Sequence, residues 1–563
     1  MPIAARLRGG FTLPMEPDRI AAEAMSRLAQ GLPALPMLLA ARERHPAHAG
    51  LALAVADALH HERRLTEAVE AYAEAQRLNP TSADAWYGAG CANLSLKAAG
   101  AAASCLARAA ALAPYSGRAQ YNLGKALFEL GEAEAAVAAF LNAERLEPEL
   151  TEMARASIAA VIPGCSAADH AAVLQHRRRW ADGLPIEAAA PSLKPVRRAP
   201  GRRLRIGYLS AFFGDANWMK PVFALINRHD RARFDVVMLS DGAPPSADSG
   251  YVDHAADVVA EVRGVPNHTV AGIVRELDID VLVDLNGYSH QQRLGLLALR
   301  PALHVVAWFN MFATSGVTAV DWLVGDDAVI RPDEERFYTE RIYRIPGSYL
   351  AFEVRYPVPD VAPPPCTARS GLVFGCLGSQ YKLTDQVLAA WARILQQAPA
   401  VRLFLKNGGL SDASVQQHLL GRLQRHGIEP GRVTMQGRSP HFAFLDAYRE
   451  VDIALDTFPY NGGTTTTEAL WQGVPVLTFD GDRWASRTST SLLRAAGLSE
   501  WVMADADAYV ARAVALANDP ATPSMLAALR AGMRDRLLRS PACDADGLCR
   551  AMEAFYRRLC EGR

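Results

Sequence analysis

The sequence predicts an α + α/β protein in which an array of helical repeats precedes two α/β domains. Prolines recur every 34 residues in the N-terminal part, at Pro80, Pro114 and Pro148. After residue 203, short β-branched runs alternate with helical patterns, which is typical of parallel sheets. The alternation stops at a Pro-rich stretch, 355–366, and then resumes. The α/β part therefore divides into two domains of similar size, and we expect a substrate cleft between them.

The repeats share small and large residues at fixed distances before each proline. Small residues let paired helices approach, one large residue fills the gap, and proline starts the turn. The matched positions are Ala68, Ala102 and Ala136; Tyr72, Leu106 and Phe140; and Ala75, Ala109 and Ala143. This pattern resembles the tetratricopeptide repeat, with about three copies and a degenerate copy before them. Such an array offers a groove for an extended peptide; the alternative is a packing platform, including one that forms a homodimer.

Composition shifts set the expected domain boundaries and the elements within them. A Pro/Ala stretch with basic residues after residue 182 is expected to be a solvated linker. The predicted domains are an N-terminal helical segment (1–48), repeats (49–150), a helical connector and linker (151–202), a first α/β domain (203–366), a second α/β domain (367–542) and a C-terminal helix (543–563). Strands are predicted at 203–213, 234–240, 281–289, 304–310, 320–326, 372–379, 401–407, 433–437, 451–458 and 474–481, with helices at 271–279 and 384–399.

Composition excludes several classes of protein. The chain has 563 residues, with Lys+Arg 59 against Asp+Glu 60 and a formal net charge of −1, so charge gives no drive toward nucleic acid or anionic membranes. No apolar run approaches the roughly 18–20 residues needed for a membrane span. Eight scattered cysteines form no C-x-x-C pair, and the N-terminus lacks a signal-peptide apolar region. We expect a cytoplasmic protein without a metal site, a nucleic-acid partner or a membrane span.

The segment VDIALDTFPYNGGTTTTEALW carries the clearest chemical signal. A predicted strand ends at Asp456, glycines including Gly463 permit close backbone approach, and Thr464 and Thr465 open a helix. Free amides at a helix start and threonine hydroxyls suit a diphosphate, and Glu468 one turn later could accept hydrogen bonds from a ribose diol. The alternative is that the threonines only cap the helix.

A second segment, GCLGSQYKLTDQVLAAWARIL, places Lys382 just after the first strand of the second α/β domain. Open α/β sheets bind ligands at the carboxyl ends of their strands, so a cation here could neutralise a leaving diphosphate. Ser379 and Tyr381 are its neighbours. The alternative is a solvated surface lysine.

Together with the repeats, SQYKLTDQVLAAWARIL, LDTFPYNGGTTTTEALWQGVPVLT and WFNMFATSG resemble the O-linked N-acetylglucosamine transferase family, and most closely its SPINDLY branch. The resemblance implies a GT-B fold with an acceptor-side and a nucleotide-sugar domain. It also implies an inverting, metal-independent transfer from a nucleotide-diphosphate sugar, UDP-GlcNAc by default, to Ser or Thr of a protein held by the repeat groove. No other cofactor is implied.

The resemblance also assigns individual residues. Lys382 matches the diphosphate-stabilising lysine, Thr464 and Thr465 the phosphate loop, and Glu468 the ribose-holding residue. His176, in LQHRRRW, matches an active-site histidine considered as a base, although water or a donor phosphate oxygen could take the proton. His441 lies in a loop that could cover the nucleotide base or form plain surface.

The chain departs from the family at positions expected to face the sugar and acceptor: Asn217, Trp218, Phe309, Asn310 and Thr314 or their immediate neighbours. Three alternatives follow. The donor sugar could be fucose, glucose or another sugar; the acceptor could be a small molecule or glycan; or the chain could be a non-catalytic interaction scaffold.

Overall fold

The computed structural model describes residues 16–184 and 202–561. The predicted basic linker falls mainly on residues 185–201, outside this described part. The architecture is an N-terminal helical array followed by two α/β domains, each built on a parallel sheet, so the predicted fold class is confirmed. Within the described residues, no helix combines the length and apolarity needed to cross a membrane.

Eight helices form the array, and successive helices pack against each other. Two precede residue 49, where the sequence predicts a helical segment with a degenerate repeat. The helices are α1 (Pro17–Ala29), α2 (Leu35–Arg44), α3 (Ala49–His61), α4 (Leu65–Leu78), α5 (Ala83–Ser95), α6 (Ala99–Leu112), α7 (Gly117–Glu129) and α8 (Ala133–Leu146).

The repeat packing depends on glycines that face the large residues of the pattern. A Cβ atom added to Gly90 would lie 2.4 Å from Leu106, and one added to Gly124 would lie 2.7 Å from Phe140. Leu106 and Phe140 are buried in consequence. The small and large positions in the sequence therefore fit one another across neighbouring helices.

The connector consists of two helices, α9 (Thr151–Val161) and α10 (His170–Ala181), rather than one. Pro163 and Gly164 interrupt the helical pattern between them, in a short 3-10 turn. From α10, the buried Arg177 donates to the carbonyl oxygens of Met311 (3.1 Å) and Thr314 (2.6 Å) in the first α/β domain. The connector is thus fastened to that domain.

The first α/β domain has a seven-stranded parallel sheet in the order β3-β2-β1-β4-β5-β6-β7. The sequence did not predict β3 and β7, which are the edge strands. Three of the four β3 residues are exposed, so β3 lacks a buried apolar run. The elements are β1 (Leu204–Ser210), α11 (Lys220–Ile226), β2 (Phe234–Ser240), β3 (Val258–Glu261), α12 (Asn267–Glu276), β4 (Val281–Asp284), α13 (Leu294–Ala298), β5 (His304–Ala307), β6 (Trp322–Gly325) and β7 (Arg341–Arg344).

The second α/β domain has a six-stranded parallel sheet in the order β10-β9-β8-β11-β12-β13. The edge strand β13 is only two residues long and was not predicted. The elements are β8 (Val373–Cys376), α14 (Asp385–Gln397), β9 (Arg402–Lys406), α15 (Ala413–Arg425), β10 (Val433–Gln436), α16 (His441–Asp446), β11 (Ile453–Leu455), α17 (Thr464–Trp471), β12 (Val476–Phe479), α18 (Thr488–Ala495), β13 (Val502–Met503), α19 (Ala506–Asn518) and α20 (Thr522–Leu538).

The C-terminal helix α21 (Ala545–Glu561) returns to the first α/β domain and joins its core. Phe555 stacks on Tyr343 with ring centroids 4.0 Å apart. Glu553 accepts a hydrogen bond from the His229 ring (3.0 Å), whose other nitrogen lies 2.6 Å from the Tyr208 hydroxyl. Helix α21 therefore completes the hydrophobic core of the first α/β domain.

The helical array is docked on the second α/β domain next to the segment that contains Lys382. Arg422, buried on α15, donates to the Leu130 carbonyl oxygen (2.7 Å) and pairs with Asp385 (2.8 Å). Between α7 and α8, Gly131 adopts a φ of +84°, and a Cβ atom there would lie 2.6 Å from the Leu383 carbonyl oxygen. The array therefore has a fixed position relative to the candidate site.

Gly131→Ala should destabilise the protein by about 2–4 kcal/mol, because it adds a backbone clash to the cost of a left-handed conformation. Gly31→Ala is the matched control, since Gly31 has a φ of +71° with no atom within 4 Å of its Cβ position. Urea unfolding of both variants measures the difference. Equal destabilisation would show that the docking contact contributes nothing.

Candidate active site

The residues singled out in the second α/β domain meet at the carboxyl edge of its sheet. A small cavity lies between the ends of β8 and β11 and the start of α17. Its lining includes Gly378, Asp456, Gly462, Thr465 and Thr466. The parallel topology explains this arrangement, because all strands of the sheet end at the same edge.

The first turn of α17 has no cap. Its N-cap residue is Gly463, which has no side chain to accept from the helix amides. The Thr466 hydroxyl is hydrogen-bonded to the Ser489 hydroxyl (2.9 Å), and the Thr467 hydroxyl donates to the Thr464 carbonyl oxygen (2.7 Å). Among the described residues, the hydroxyls and amides of Thr464 and Thr465 have no hydrogen-bond partner. The threonines therefore do not cap the helix, and its amides are available to an anion.

Asp456 fixes the loop that leads into α17. Its carboxylate accepts from the Thr457 and Gly462 amides (3.0 Å each) and from the Thr478 hydroxyl (2.8 Å). Burial raises the pKa of Asp456, and these hydrogen bonds oppose the shift. Asp456 thus shapes the loop, and its own oxygens are occupied.

Lys382 lies in this loop region and is not a solvated surface lysine. Its Nζ donates to the Asn461 carbonyl oxygen (2.6 Å) and lies 4.5 Å from the centre of the Tyr460 ring. Burial lowers the pKa of the Lys382 ammonium to about 8, although Asp456 acts in the opposite direction. A half-buried cation held by one carbonyl oxygen and an aromatic face gains stability when an anion arrives.

Glu468 and His441, predicted as nucleotide contacts, lie together. The His441 Nε2 is 2.9 Å from the Glu468 Oε1, and Glu468 is only 2% exposed. A residue that the sequence analysis did not single out, Lys220 of the first α/β domain, places its Nζ 3.8 Å from the same oxygen. Only the tertiary structure brings Lys220 to this carboxylate.

Ser379 starts the short turn that ends at Lys382 and is exposed. The adjacent Gln380 was not predicted as a site residue. It is 5% exposed, accepts from the Asn407 amide (3.2 Å) and has a buried Nε2 without a partner among the described residues. An unsatisfied buried donor beside a ligand loop marks Gln380 as an additional candidate contact.

The predicted substrate-side residues are divided between the cleft and the domain interior. Asn217 and Trp218 are half-buried in the loop after β1, where Trp218 stacks on Phe212 at 4.5 Å. Inside the domain, the Asn310 side-chain amide donates to the Asn286 carbonyl oxygen (2.8 Å). The Thr314 hydroxyl donates to the Glu340 carboxylate (2.8 Å). Their side chains therefore support the loop.

An aromatic pair crosses from this loop to the second domain. Phe309 and Phe312 both have positive φ values, 77° and 58°. Phe309 is buried in its own domain, whereas Phe312 packs against Tyr460 with ring centroids 5.1 Å apart. Because the Tyr460 ring also lies 4.5 Å from the Lys382 Nζ, this pair lies beside the Lys382 loop.

The structure does not bring His176 together with Lys382. The buried side chains of α10 are Val173, which packs with α8 and α9, and Arg177 and Trp180, which face the first α/β domain. His176 lies outside that stripe and forms no hydrogen bond or ion pair in the described part of the chain. Burial and then Arg179 lower its pKa, and Glu144 opposes this. Its role as a base stays a prediction.

A different histidine of the same helix, His170, does reach the junction of the domains. Its Nε2 lies 2.9 Å from the Asp482 carbonyl oxygen, and its ring stacks on Phe337 at 5.2 Å. A small cavity at this junction is lined by His170, Phe312, Thr314 and Trp484, among others. His170 lies seven residues, or about two helical turns, before Arg177 and so on the same face of α10. This spacing is the sequence signal that could have identified His170.

One group of metal-type donors occurs in the described residues: His229, Cys549 and Glu553. His229 follows α11, at the amino edge of the first sheet, and so lies away from the cleft. Its two ring nitrogens already bond Glu553 and Tyr208. Hydrogen bonding within the cluster therefore accounts for the group.

Comparison with known proteins assigns the family. The model of "Glycosyl transferase family 41" matches residues 186–360 and 367–552, and a tetratricopeptide repeat model matches 117–150. The chain belongs to glycosyl transferase family 41. The predicted family resemblance and the repeat assignment are thereby confirmed.

Individual relatives agree with this family. The probable UDP-N-acetylglucosamine–peptide N-acetylglucosaminyltransferase SPINDLY of Solanum lycopersicum is 32% identical over 374 residues, covering 65% of this chain and 40% of that protein. The Arabidopsis thaliana SPINDLY is 33% identical over 368 residues, with 64% and 40% coverage. The structure of a mutant of the Thermobaculum terrenum O-GlcNAc transferase superposes with a TM-score of 0.75 at 28% identity, covering 98% of this chain and 100% of that one. The chain thus spans about two fifths of the plant relatives' length.

The affinity of the family 41 chain for a nucleoside diphosphate should fall as the pH rises above about 8, by up to tenfold per pH unit. The reason is that Lys382 in the free protein loses its proton through this range. Isothermal titration calorimetry with UDP and GDP between pH 6.5 and 9.5 measures the profile. Lys382→Arg, which stays protonated, should flatten it. An equally steep decline in that variant would exclude Lys382 as the titrating group.

Proposed function

We propose that the protein is an O-glycosyltransferase that moves a sugar from a nucleotide-diphosphate donor to a Ser or Thr hydroxyl of a protein. The observation that carries the proposal is the uncapped start of α17 beside the half-buried cation Lys382. Together they form an anion site with fixed donors and a desolvated positive charge, which suits a diphosphate leaving group.

In the proposed reaction, the acceptor hydroxyl oxygen attacks C1 of the sugar from the face opposite the diphosphate. The new C1–O bond forms as the bond from C1 to the diphosphate oxygen breaks, so the anomeric centre inverts. The amides of Thr464 and Thr465 and the Lys382 ammonium stabilise the charge that develops on the leaving oxygen. Because these groups are held in place by the fold, no metal ion is required for that task.

The hydroxyl proton leaves in the same step. His176 is the histidine that the sequence suggests, yet it has no contact with Lys382 or α17. A phosphate oxygen of the donor lies next to the attacked carbon in any such complex, so we assign the proton to that oxygen or to water.

The proposed acceptor is a protein because the repeat array ends beside the catalytic lysine. Phe128 of α7 stacks on Tyr381 with ring centroids 4.9 Å apart, and Tyr381 precedes Lys382 in the chain. A peptide lying in the array groove would therefore reach the cleft at the Lys382 loop. The plant relatives, which are named as probable peptide N-acetylglucosaminyltransferases, support the same class of acceptor.

UDP-GlcNAc is the default donor, again supported by the relatives' names. The Phe312–Tyr460 pair favours testing other sugars as well, since it narrows the region next to Lys382. A thermal-shift panel of uridine, guanosine and cytidine sugar nucleotides identifies the donor, because the tightest ligand raises the melting temperature most. We place the protein in the cytoplasm, in keeping with its eight free cysteines.

Lys382→Met should reduce turnover by at least about 1,000-fold, since it removes the cation that stabilises the leaving group, while the protein remains folded. The assay is mass spectrometry of an acceptor peptide with each candidate donor. Lys97→Met, at an exposed lysine between α5 and α6, is the control for loss of a positive charge and should keep wild-type turnover. Unchanged turnover in Lys382→Met would refute the assignment.

Transfer should persist after dialysis against EDTA, within about twofold of the untreated rate, because the stabilising groups belong to the protein. The measurement is the initial rate of peptide modification before and after chelation, with Mg²⁺ and Mn²⁺ added back in turn. A loss of rate that either ion restores would contradict the metal-independent mechanism.

A further inference from the structure

Lys220 crosses from the first α/β domain to the nucleotide side of the cleft. It is the first residue of α11, the helix that begins at the carboxyl edge of the first sheet. It is only 4% exposed, which is rare for lysine and requires a charged or polar partner. Its Nζ donates to the Tyr356 hydroxyl at 3.0 Å, in the segment that joins the two domains.

The second neighbour of Lys220 is the Glu468 carboxylate. The Nζ lies 3.8 Å from Oε1, and the same oxygen is 2.9 Å from the His441 Nε2. The His441 ring in turn packs edge-on against Tyr356, with centroids 4.8 Å apart. Residues from both domains and from the joining segment therefore converge on one oxygen of one buried carboxylate.

The other oxygen, Oε2, receives no hydrogen bond from the described residues. An ionised carboxylate at 2% exposure needs compensation, and Lys220 and His441 supply it on Oε1 alone. Oε1 is thus anchored, and Oε2 is left with its full capacity to accept from a ligand. Because Glu468 lies one turn into α17, a ligand whose phosphates lie at the start of that helix would present its ribose to Oε2.

We propose that Lys220 is a positioning residue for the ribose: it holds Glu468 in its orientation, and thereby gives the site its preference for ribonucleotides over nucleotides that lack the sugar hydroxyls. The inference rests on the proposed function, in which Glu468 binds the donor ribose. It also means that the ribose contact forms only when the two domains are together, since Lys220 and Glu468 belong to different domains.

The test compares UDP with 2′,3′-dideoxy-UDP by calorimetry, with the GDP pair as the alternative if GDP binds more tightly. The wild-type protein should bind the dideoxy ligand about 10- to 100-fold more weakly, as expected when a site built for hydroxyl groups loses them. Lys220→Met should bind UDP roughly 10-fold more weakly than the wild-type protein does. Its affinities for UDP and dideoxy-UDP should differ by less than about threefold. Lys220→Arg should keep most of the discrimination, because it keeps the charge.

The ratio of the two affinities separates positioning from a general structural role. A purely structural effect would weaken both ligands equally and leave the ratio at its wild-type value, and that result would overturn the inference. If Lys220→Met does not fold, Tyr356→Phe removes the hydroxyl partner of Lys220 while leaving every charge, and it should lower the ratio about threefold. An unchanged ratio in Tyr356→Phe would then count against the inference.

Failure of the proposed function gives a different result. A wild-type protein that binds UDP and dideoxy-UDP equally would refute the ribose role of Glu468, and the role of Lys220 with it. If the wild-type protein prefers UDP to dideoxy-UDP and Lys220→Met shows the same preference, only the role of Lys220 is refuted.

Discussion

The site depends on a half-buried ammonium, that of Lys382, which the protein holds with one carbonyl oxygen and one aromatic face. A charge in this environment is costly, and its lowered pKa expresses that cost. The nearest carboxylate, Asp456, is committed to the loop amides and the Thr478 hydroxyl. In the proposed function a diphosphate supplies the missing negative charge, and that function requires the surrounding structure to keep the ammonium in place without neutralising it.

Three separate parts of the chain hold that arrangement. The repeat array contacts the Lys382 segment through Gly131 and through Phe128 on Tyr381. The connector helix α10 holds the loop before Gly316 with the buried Arg177 guanidinium. Between the α/β domains, Arg487 pairs with Glu334 in a buried contact. The array is therefore a structural part of the catalytic unit as well as a candidate surface for the acceptor.

Sequence patterns were most informative for features that depend on interactions between residues close together in the chain. The glycine and threonine run at 462–467 predicted an anion site, because the free amides of a helix start need only neighbouring residues. The central strands were predicted because a strand buried on both faces is a continuous apolar run. Three of the four edge strands, β3, β7 and β13, were missed because short, partly exposed strands lack that pattern, whereas the edge strand β10 was predicted. His176 and His170 lie on one helix, and the choice between them depended on which face meets the α/β domains.

The sequence by itself determined the repeat period, the order of the domains and the family, and it predicted the glycine- and threonine-rich loop as an anion site, since each depends on residues close together in the chain. Only the tertiary structure decided which distant side chains share a site. Lys220 meets Glu468, α21 completes the core of a domain that begins at residue 203, and the array docks at Gly131. These contacts join residues hundreds of positions apart, and they form because buried charges and backbone groups must find partners wherever the fold places them.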